Sequence, residues 1–294
     1  MSTPEWTLPP AVVGAVDPMH EKLEALEALE IELLLEGVYR RYGFDFREYA
    51  TASLKRRLWR RMRAEGLSTV TQLQDRLLRD EACMERLLLD LSISVTAMFR
   101  DPSFYVAFRE HVVPTLRTYP FTRIWCAGCS TGEEVYSLAI LLEEEGLYGR
   151  TRIYATDINE QVLETARAGV FPLDRMKQYT QNYIRSGGTR EFSEYYVAKY
   201  DSARFSRSLT ENIVFAQHNL VSDRAFNEFN VIVCRNVMIY FDKALQNRVH
   251  QLFYESLDTF GALALGRKES VAFTPFADSY DVVDAAERIY RKIA

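Results

Sequence analysis

The feature that most constrains the fold is a change of pattern at Pro120. From Glu21 to about Thr118, apolar residues recur at intervals of three and four, the spacing of a helix face, and no strand-like run occurs. After Pro120, short apolar runs alternate with helical stretches, which favours βα units and a mainly parallel sheet. The sequence therefore predicts an all-helical N-terminal domain at 1–118, with loose first residues, and an α/β domain at 119–294.

Within 119–294, short apolar runs predict the strands of the sheet, and the segments between them predict helices. The predicted strands are 123–126, 152–156, 213–216, 230–234, 262–265 and one near 287–293, and the predicted helices are 132–145, about 159–168 and 243–257. The interval 172–211 is polar and aromatic, and it breaks this alternation. We expect an inserted subdomain there, with a small antiparallel β element.

The composition excludes several classes of protein. The 294 residues carry a net charge of −5, which favours neither a nucleic-acid binder nor a protein bound to anionic membranes. No run approaches the roughly 18 apolar residues of a membrane span, and the first residues lack the features of a signal peptide. Four unevenly spaced cysteines do not make a secreted disulfide framework. These observations predict a cytoplasmic protein without direct membrane insertion.

The segment Trp125-Cys-Ala-Gly-Cys129 lies between a predicted strand and a predicted helix, and it allows three interpretations. A Cys-x-x-Cys pair suits disulfide exchange, but Glu133 and Glu134 follow in the first helical turn, and negative charge raises the pKa of a nearby thiol. A structural zinc site would need a second Cys or His pair at ligand spacing. The third interpretation is a tight turn of small residues, and we predict no metal site.

Gly128 and Gly132 leave backbone room in this turn, at the strand end where doubly wound sheets bind ligands. The dinucleotide fingerprint G-x-G-x-x-G is not met, and the acidic side chains disfavour a pyrophosphate. Glu133 and Glu134 suit a cofactor with positive charge, and Asp157, after the second strand, suits ribose hydroxyls. These properties describe S-adenosyl-L-methionine, although an acid at the end of a second strand is common.

Four stretches carry a more specific signal: VTAMFR at 95–100, WCAGCSTGEEVYS at 125–137, ATDIN at 155–159 and VCRNVMIYFD at 233–242. Together they resemble the CheR-type chemotaxis receptor protein-glutamate O-methyltransferases, over nearly the whole chain. The resemblance implies an all-α N-terminal domain and a Rossmann-like S-adenosylmethionine methyltransferase domain. It also implies a small β-subdomain, inserted at about 172–211, and a role in chemotaxis signal transduction.

The resemblance assigns roles to residues that match these motifs. It implies that Arg100 and Tyr240 are catalytic, with Arg100 orienting a carboxylate or the cofactor and Tyr240 close to the transferred methyl group. A surface ion pair for Arg100 and core packing for Tyr240 are the alternatives. The cofactor-binding residues that it implies are Ser94, Thr96, Arg100, Glu133, Asp157, Asn219, Leu220, Arg235 and Asn236.

The implied reaction methylates glutamate side chains in the glutamate-rich helical cytoplasmic region of a chemoreceptor or related sensor. Its products are glutamate 5-methyl esters and S-adenosyl-L-homocysteine, and an ionised carboxylate needs no general base. Two alternatives stay open: an S-adenosylmethionine-binding signalling module without turnover, and a small-molecule methyltransferase. The segment LGRKES at 265–270 replaces the family's common Gly-His-Ser-Glu-Asn, and 186–193 also differs, so the acceptor and any receptor tether stay undecided.

A basic cluster at 55–63 contains six bases in nine residues. Leu54, Leu58 and Met62 recur at steps of four, which predicts a helix with one apolar stripe and cationic flanks. A solvated helix face is one interpretation, and nucleic-acid binding is a weak one for an acidic chain. The resemblance implies a docking surface for acidic receptor helices, formed by Arg56, Arg57, Arg60 and Arg61.

Overall fold

The computed structural model describes residues 18–91 and 96–293. The N-terminal part is helical, as predicted, and it consists of α1 (Pro18–Tyr42), α2 (Thr51–Ala64), α3 (Val70–Arg79) and α4 (Glu81–Leu91). These helices share one hydrophobic core, to which α2 contributes Leu54, Leu58 and Met62 from the predicted apolar stripe. The predicted loose segment at the start of the chain falls largely outside the described residues.

The first helix buries a different face from the one that its leucines suggest. Ile31, Leu34, Leu35 and Val38 are buried in the core of the helical domain. Four other leucines of this helix, which also recur at intervals of three and four, are exposed: Leu23, Leu26, Leu29 and Leu33. The helix therefore carries two apolar faces, and only one of them packs against the other helices of its domain.

A further helical segment links the two domains. It runs through α5 (Pro102–Ala107), a π-helical turn (Phe108–Val112) and α6 (Val113–Leu116). Its apolar side chains, among them Phe104 and Leu116, share a core with Ile124 and Leu138 of the α/β domain. The predicted boundary at 118/119 counts this segment with the helical domain, whereas its packing places it against the sheet.

The main sheet has seven strands: β1 (Thr122–Ala127), β2 (Thr151–Asp157), β6 (Ile213–Gln217), β7 (Phe229–Cys234), β8 (Leu257–Leu265), β9 (Tyr280–Asp284) and β10 (Ile289–Lys292). Their order across the sheet is β6-β2-β1-β7-β8-β10-β9. Strands β1, β2, β6, β7 and β8 are parallel to one another, and β9 and β10 add an antiparallel edge. Helices α7 (Glu133–Glu144), α8 (Glu160–Ala168) and α10 (Lys243–Ser256) connect the strands. This is the Rossmann-like arrangement that was predicted. The sequence analysis did not predict strand β9.

The strand order reverses beside β1, since the chain proceeds from β1 to β2 and β6 on one side, and then returns to β7 and β8 on the other. Doubly wound sheets bind their ligands at the carboxyl ends of the strands at such a switch point. The topology therefore places a ligand site next to the turn that follows β1.

The inserted subdomain contains a three-stranded antiparallel sheet, which confirms the predicted β element. It consists of β3 (Val170–Pro172), β4 (Tyr196–Lys199) and β5 (Ser202–Phe205), with α9 (Met176–Arg185) between the first two strands. The carboxylate of Glu144, at the end of α7, accepts hydrogen bonds from the Tyr183 and Tyr195 hydroxyls of this subdomain. The insertion is thus fixed to the main domain. None of the described helices is long and apolar enough to cross a bilayer.

Candidate active site

A cavity opens at the carboxyl ends of four parallel strands and reaches the helical domain. On the side of the sheet, the cavity is lined by residues at the ends of four strands: Gly128–Ser130 after β1, Asp157 and Ile158 at the end of β2, His218–Val221 after β6, and Arg235–Val237, Tyr240 and Phe241 after β7. The helical side contributes Phe46, Tyr49, Leu88 and Leu91, and the connecting segment contributes Thr96, Ala97 and Arg100. Glu134, in the first turn of α7, completes this lining. Both domains therefore build the cavity.

The turn after β1 depends on two glycines. Gly128 and Gly132 have φ angles of +73° and +96°, in the left-handed region that favours glycine. A Cβ atom on Gly128 would lie 2.5 Å from Cγ2 of Val237, and one on Gly132 would lie 2.9 Å from Cβ of Ala166. The turn therefore packs directly against the loop after β7 and against α8, with no room for a side chain at either glycine.

Asp157 ends β2 and fixes the same turn from the other side. Its carboxylate accepts hydrogen bonds from the backbone N–H groups of Ser130 (2.9 Å) and Asn159 (3.0 Å). The side chain is buried, and burial raises the pKa of this carboxyl above its usual value, against the effect of those hydrogen bonds. The buried hydroxyl of Ser130, which also lines the cavity, has no hydrogen-bond partner among the described residues.

The two adjacent glutamates of α7 have different surroundings. Glu133 does not line the cavity: its carboxylate accepts hydrogen bonds from the hydroxyls of Thr131 (2.6 Å) and Tyr179 (3.3 Å). Burial raises the pKa of Glu133, although the hydrogen bonds oppose that shift. Glu134 does line the cavity, and it binds Arg235 at 2.9 Å. The carboxylate that faces the cavity from this helix is therefore that of Glu134.

Arg235 joins three parts of the site. Its guanidinium donates to Asp101 (2.8 Å), to Glu134 (2.9 Å) and more weakly to the backbone carbonyl of Arg100 (3.4 Å). The guanidinium carbon lies 4.1 Å from the ring centroid of Phe104. The side chain is only 1% exposed, and burial alone would lower its pKa, but the neighbouring carboxylates raise it overall. Asp101 precedes the proline of α5, at the position where a side chain could cap the helix, yet its carboxylate binds Arg235 and makes no capping hydrogen bond.

The cysteines of the turn are buried free thiols. Cys126 and Cys129 are 1% and 4% exposed, and neither forms a disulfide. Burial raises the pKa of both thiols well above the usual range, and the charges of Glu134 and Asp157 add to this effect. Disulfide exchange requires an accessible thiolate, so this environment opposes redox chemistry and favours the interpretation as small turn residues.

Comparisons with known proteins match most of the chain, in both domains. Residues 94–287 match the model of the CheR methyltransferase, SAM binding domain, and residues 29–92 match that of the CheR methyltransferase, all-alpha domain. The chain belongs to the CheR methyltransferase family. A Pseudomonas putida protein assigned as a methyltransferase, Cher3, is 49% identical over 90% of this chain and 97% of its own length. Chemotaxis protein methyltransferases of Salmonella typhimurium and Escherichia coli are 30% and 29% identical, over 90% and 86% of this chain and 91% and 87% of theirs.

This CheR-family protein therefore uses S-adenosylmethionine, and the cavity has the polar groups that such a cofactor requires. Asp157 offers a buried carboxylate oxygen at the switch point, and Glu134 offers negative charge near the glycine turn. Ser130, whose buried hydroxyl has no hydrogen-bond partner among the described residues, lines the same cavity. Carboxylates suit ribose hydroxyls and an ammonium group, and they disfavour a phosphate. The residues present thus fit the cofactor of the family.

Most of the site residues predicted for this CheR-family chain come together in the cavity. The residues that line it are Thr96, Arg100, Asp157, Asn219, Leu220, Arg235, Asn236 and Tyr240. Glu133 does not line it, and Ser94 lies outside the described residues. The contribution of each side chain to binding or catalysis stays a prediction.

Some lining residues were absent from the set of cofactor-binding residues that the resemblance implied. Glu134 was expected, together with Glu133, to suit a cationic cofactor, but the implied set named only Glu133, and the phase of α7 distinguishes the two. His218 precedes the predicted Asn219, and its ring packs at 5.2 Å from that of Trp125. Burial lowers the pKa of His218, which favours a neutral ring at pH 7. Tyr49 comes from the helical domain, and no local pattern links that domain to the cavity.

The four arginines predicted to dock an acceptor fall into two groups. Arg56 and Arg60 are exposed on α2. Arg57 is buried: it donates to the carbonyl of Leu91 (2.5 Å), and its guanidinium carbon lies 4.4 Å from the ring centroid of Tyr240.

Arg61 is also turned inward. It binds Asp90 and Glu65 of its own domain, and its side chain is 12% exposed. Of the four arginines, two are thus placed to meet a partner, and Arg57 reaches the cavity wall instead. The exposed side of α2 gains one more base, Arg63, which was outside the predicted set.

Proposed function

We propose that this chain methylates glutamate side chains of a chemoreceptor or related sensor in the cytoplasm, with glutamate 5-methyl esters as the product. The acceptor would be the glutamate-rich helical region of that partner. The proposal is supported at the family level by the similarity to chemotaxis protein methyltransferases, and at the level of this chain by the construction of the cavity.

The observation that carries the proposal is the position of the cavity against the helical domain. Tyr240 lines the cavity and packs on Arg57, a residue of α2. The opposite side of that helix presents Arg56, Arg60 and Arg63 to solvent. An acidic helix docked on this exposed side would therefore lie on the same helix whose other side contacts the cavity residue Tyr240. Charge complementarity of this kind raises the association rate and fixes the register of docking.

The chemistry of the site suits a carboxylate acceptor. Bound S-adenosylmethionine supplies a methyl group on a positively charged sulfur, which leaves as a neutral thioether. A glutamate is ionised well below neutral pH, so the protein does not have to remove a proton from it. The residues of the chain then have to orient the carboxylate and exclude water, since alignment and loss of hydration supply much of the rate. Arg100 and Tyr240 line the cavity and are suited to this role.

The test is methyl transfer to a defined acceptor. We would incubate the purified chain with isotope-labelled S-adenosylmethionine and the soluble cytoplasmic fragment of a chemoreceptor from the same organism. We expect label on glutamates, released as methanol by mild alkali and located by mass spectrometry. The matched control is the same fragment with its methylatable glutamates replaced by alanine.

Three results would contradict the proposal in different ways. Tight binding of S-adenosylhomocysteine without any transfer to receptor fragments or small carboxylates would favour a sensing module. Base-labile label on small carboxylates, with none on the receptor fragments, would favour a small-molecule methyltransferase. Label that is stable to alkali would indicate an acceptor atom other than a carboxylate oxygen.

A further inference from the structure

A buried carboxylate, that of Glu269, holds the backbone of a loop that lines the cavity. Glu269 lies in the loop after β8, is 6% exposed, and is not part of the cavity lining. One of its oxygens accepts hydrogen bonds from the backbone N–H groups of Asn236 (2.9 Å) and Gly266 (2.7 Å), and the other accepts from Val237 (2.9 Å). These three donors belong to two different loops, so this carboxylate joins the loop after β7 to the loop after β8.

The loop that Glu269 holds has an unfavourable backbone conformation. Asn236 has a φ of +63°, in the left-handed region that residues other than glycine seldom adopt. Such a conformation persists where the surrounding structure determines it, and functional loops are common places for it. A Cβ atom on Gly266 would lie 2.6 Å from the Glu269 carboxylate and 2.8 Å from the Asn236 nitrogen. The two loops therefore pack so closely at Gly266 that a methyl group there would clash with its neighbours.

The conformation of the loop after β7 determines part of the shape of the cofactor cavity. Asn236 and Val237 both line the cavity, and a methyl group of Val237 occupies the space next to Gly128 in the turn after β1. The same loop continues to Tyr240, whose backbone carbonyl accepts a hydrogen bond from Ala50 of the helical domain (3.0 Å). The segment from 235 to 240 is thus held at its start by Glu269 and at its end by the helical domain.

We propose that Glu269 is a positioning residue for methyl transfer, which holds residues 236 and 237 in the conformation that shapes the cavity. The proposal of a role in turnover rests on the proposed function, whereas its role in binding rests only on the cofactor of the family. Burial of a charged carboxylate is unfavourable, and three backbone donors offset this cost. A neutral amide cannot replace the carboxylate, because its nitrogen would face a backbone N–H group where an acceptor is needed.

The test uses Glu269→Gln, which keeps the size and shape of the side chain. The matched control is Glu287→Gln: Glu287 is also 6% exposed, but it binds Arg267 (2.6 Å) and lies outside the cavity lining. We would measure the affinity for S-adenosylhomocysteine by calorimetry, and kcat and KM with a receptor fragment as acceptor. For Glu269→Gln we expect about a tenfold loss of affinity and a fall in kcat of the order of a hundredfold. The KM for the acceptor should change little, since the exposed bases of α2 are unaltered.

A residue with only a structural role would lower the melting temperature and leave the affinity and kcat of the folded protein unchanged. That result for Glu269→Gln overturns the proposal, and so do equal losses in Glu287→Gln. If Glu269→Gln does not fold, Gly266→Ala perturbs the same contact without removing the charge. It should then show the same loss of affinity, and wild-type affinity in a folded Gly266→Ala protein overturns the proposal. If no receptor fragment is methylated even by the wild type, the proposed function fails, while the calorimetric comparison still tests Glu269.

Discussion

The two adjacent glutamates of α7 give a perturbation with an internal control. Glu134 faces the cavity and binds the buried Arg235, while Glu133 is directed to Thr131 and Tyr179. Glu134→Gln removes a negative charge from the cavity but keeps an oxygen that can still accept from Arg235. A hydrogen bond to a charged group contributes about 1.5–3 kcal/mol. Since about 1.4 kcal/mol corresponds to a tenfold change in equilibrium, we expect affinity to fall roughly 10- to 150-fold.

The assay is calorimetric titration of the folded proteins with S-adenosylhomocysteine, which needs no acceptor. Glu133→Gln should bind within about threefold of the wild type, because its oxygen and amide can keep both hydrogen bonds and it does not reach the cavity. Circular dichroism and thermal melting show whether each variant is folded. The comparison also decides the prediction that the resemblance made for Glu133.

Equal affinities in the wild type and Glu134→Gln would refute this reasoning, since a carboxylate in the lining would then contribute nothing to binding. A loss confined to Glu133→Gln would refute it differently. It would mean that α7 presents its first glutamate to the ligand, and that the helix phase described above changes on binding.

Three further predictions concern other groups of the molecule. Asp157→Asn should weaken binding of S-adenosylhomocysteine at least tenfold by calorimetry, whereas Asp284→Asn should not, although Asp284 also accepts two backbone N–H groups in a remote turn. Reversing the exposed charges in an Arg56→Glu, Arg60→Glu protein should raise the KM for a receptor fragment and weaken the salt dependence of that KM, while the affinity for S-adenosylhomocysteine stays unchanged. Unaltered acceptor kinetics at low salt would show that these charges do not dock a partner. Burial raises the pKa of Glu133 above its usual 4.5, so the folded state binds that proton more tightly than the unfolded state, and stability falls as the pH rises from about 4.5 through the folded pKa. The melting temperature of Glu133→Gln should therefore vary less with pH than that of the wild type. An identical pH profile of the two proteins would contradict this.

The sequence was sufficient for the fold because most elements carry a local signal. Each of the predicted strands in the parallel part of the sheet overlaps an observed strand, since buried strands are short apolar runs. The missed strand β9, with sequence YDVVD, lies at the sheet edge and has exposed residues at its second and third positions. It is defined by antiparallel pairing with β10, which no local pattern encodes.

The site was harder to predict, because it depends on phase and on contacts between distant segments. Glu133 and Glu134 both stand in the first turn of α7, where nearly every following side chain is buried, so periodicity does not say which one faces a ligand. The left-handed Gly132 determines where that helix begins, and hence the phase. Glu269 gave no signal of its own, since its partners are backbone amides of loops that only the folded chain brings together.

The basic cluster of α2 shows what periodicity could have decided and what it could not. Arg57 and Arg61 follow the buried Leu54 by three and seven residues, which is the spacing of one helix face, whereas Arg56 and Arg60 fall on the opposite side. Helix geometry alone therefore assigns the first pair to the buried side and leaves the second pair for a partner. It does not reveal that Arg57 packs on Tyr240, because that contact joins the two domains across the cavity. An Arg57→Ala protein should accordingly lose kcat with little change in salt response. Loss of acceptor affinity alone would return Arg57 to the docking surface that the sequence suggested.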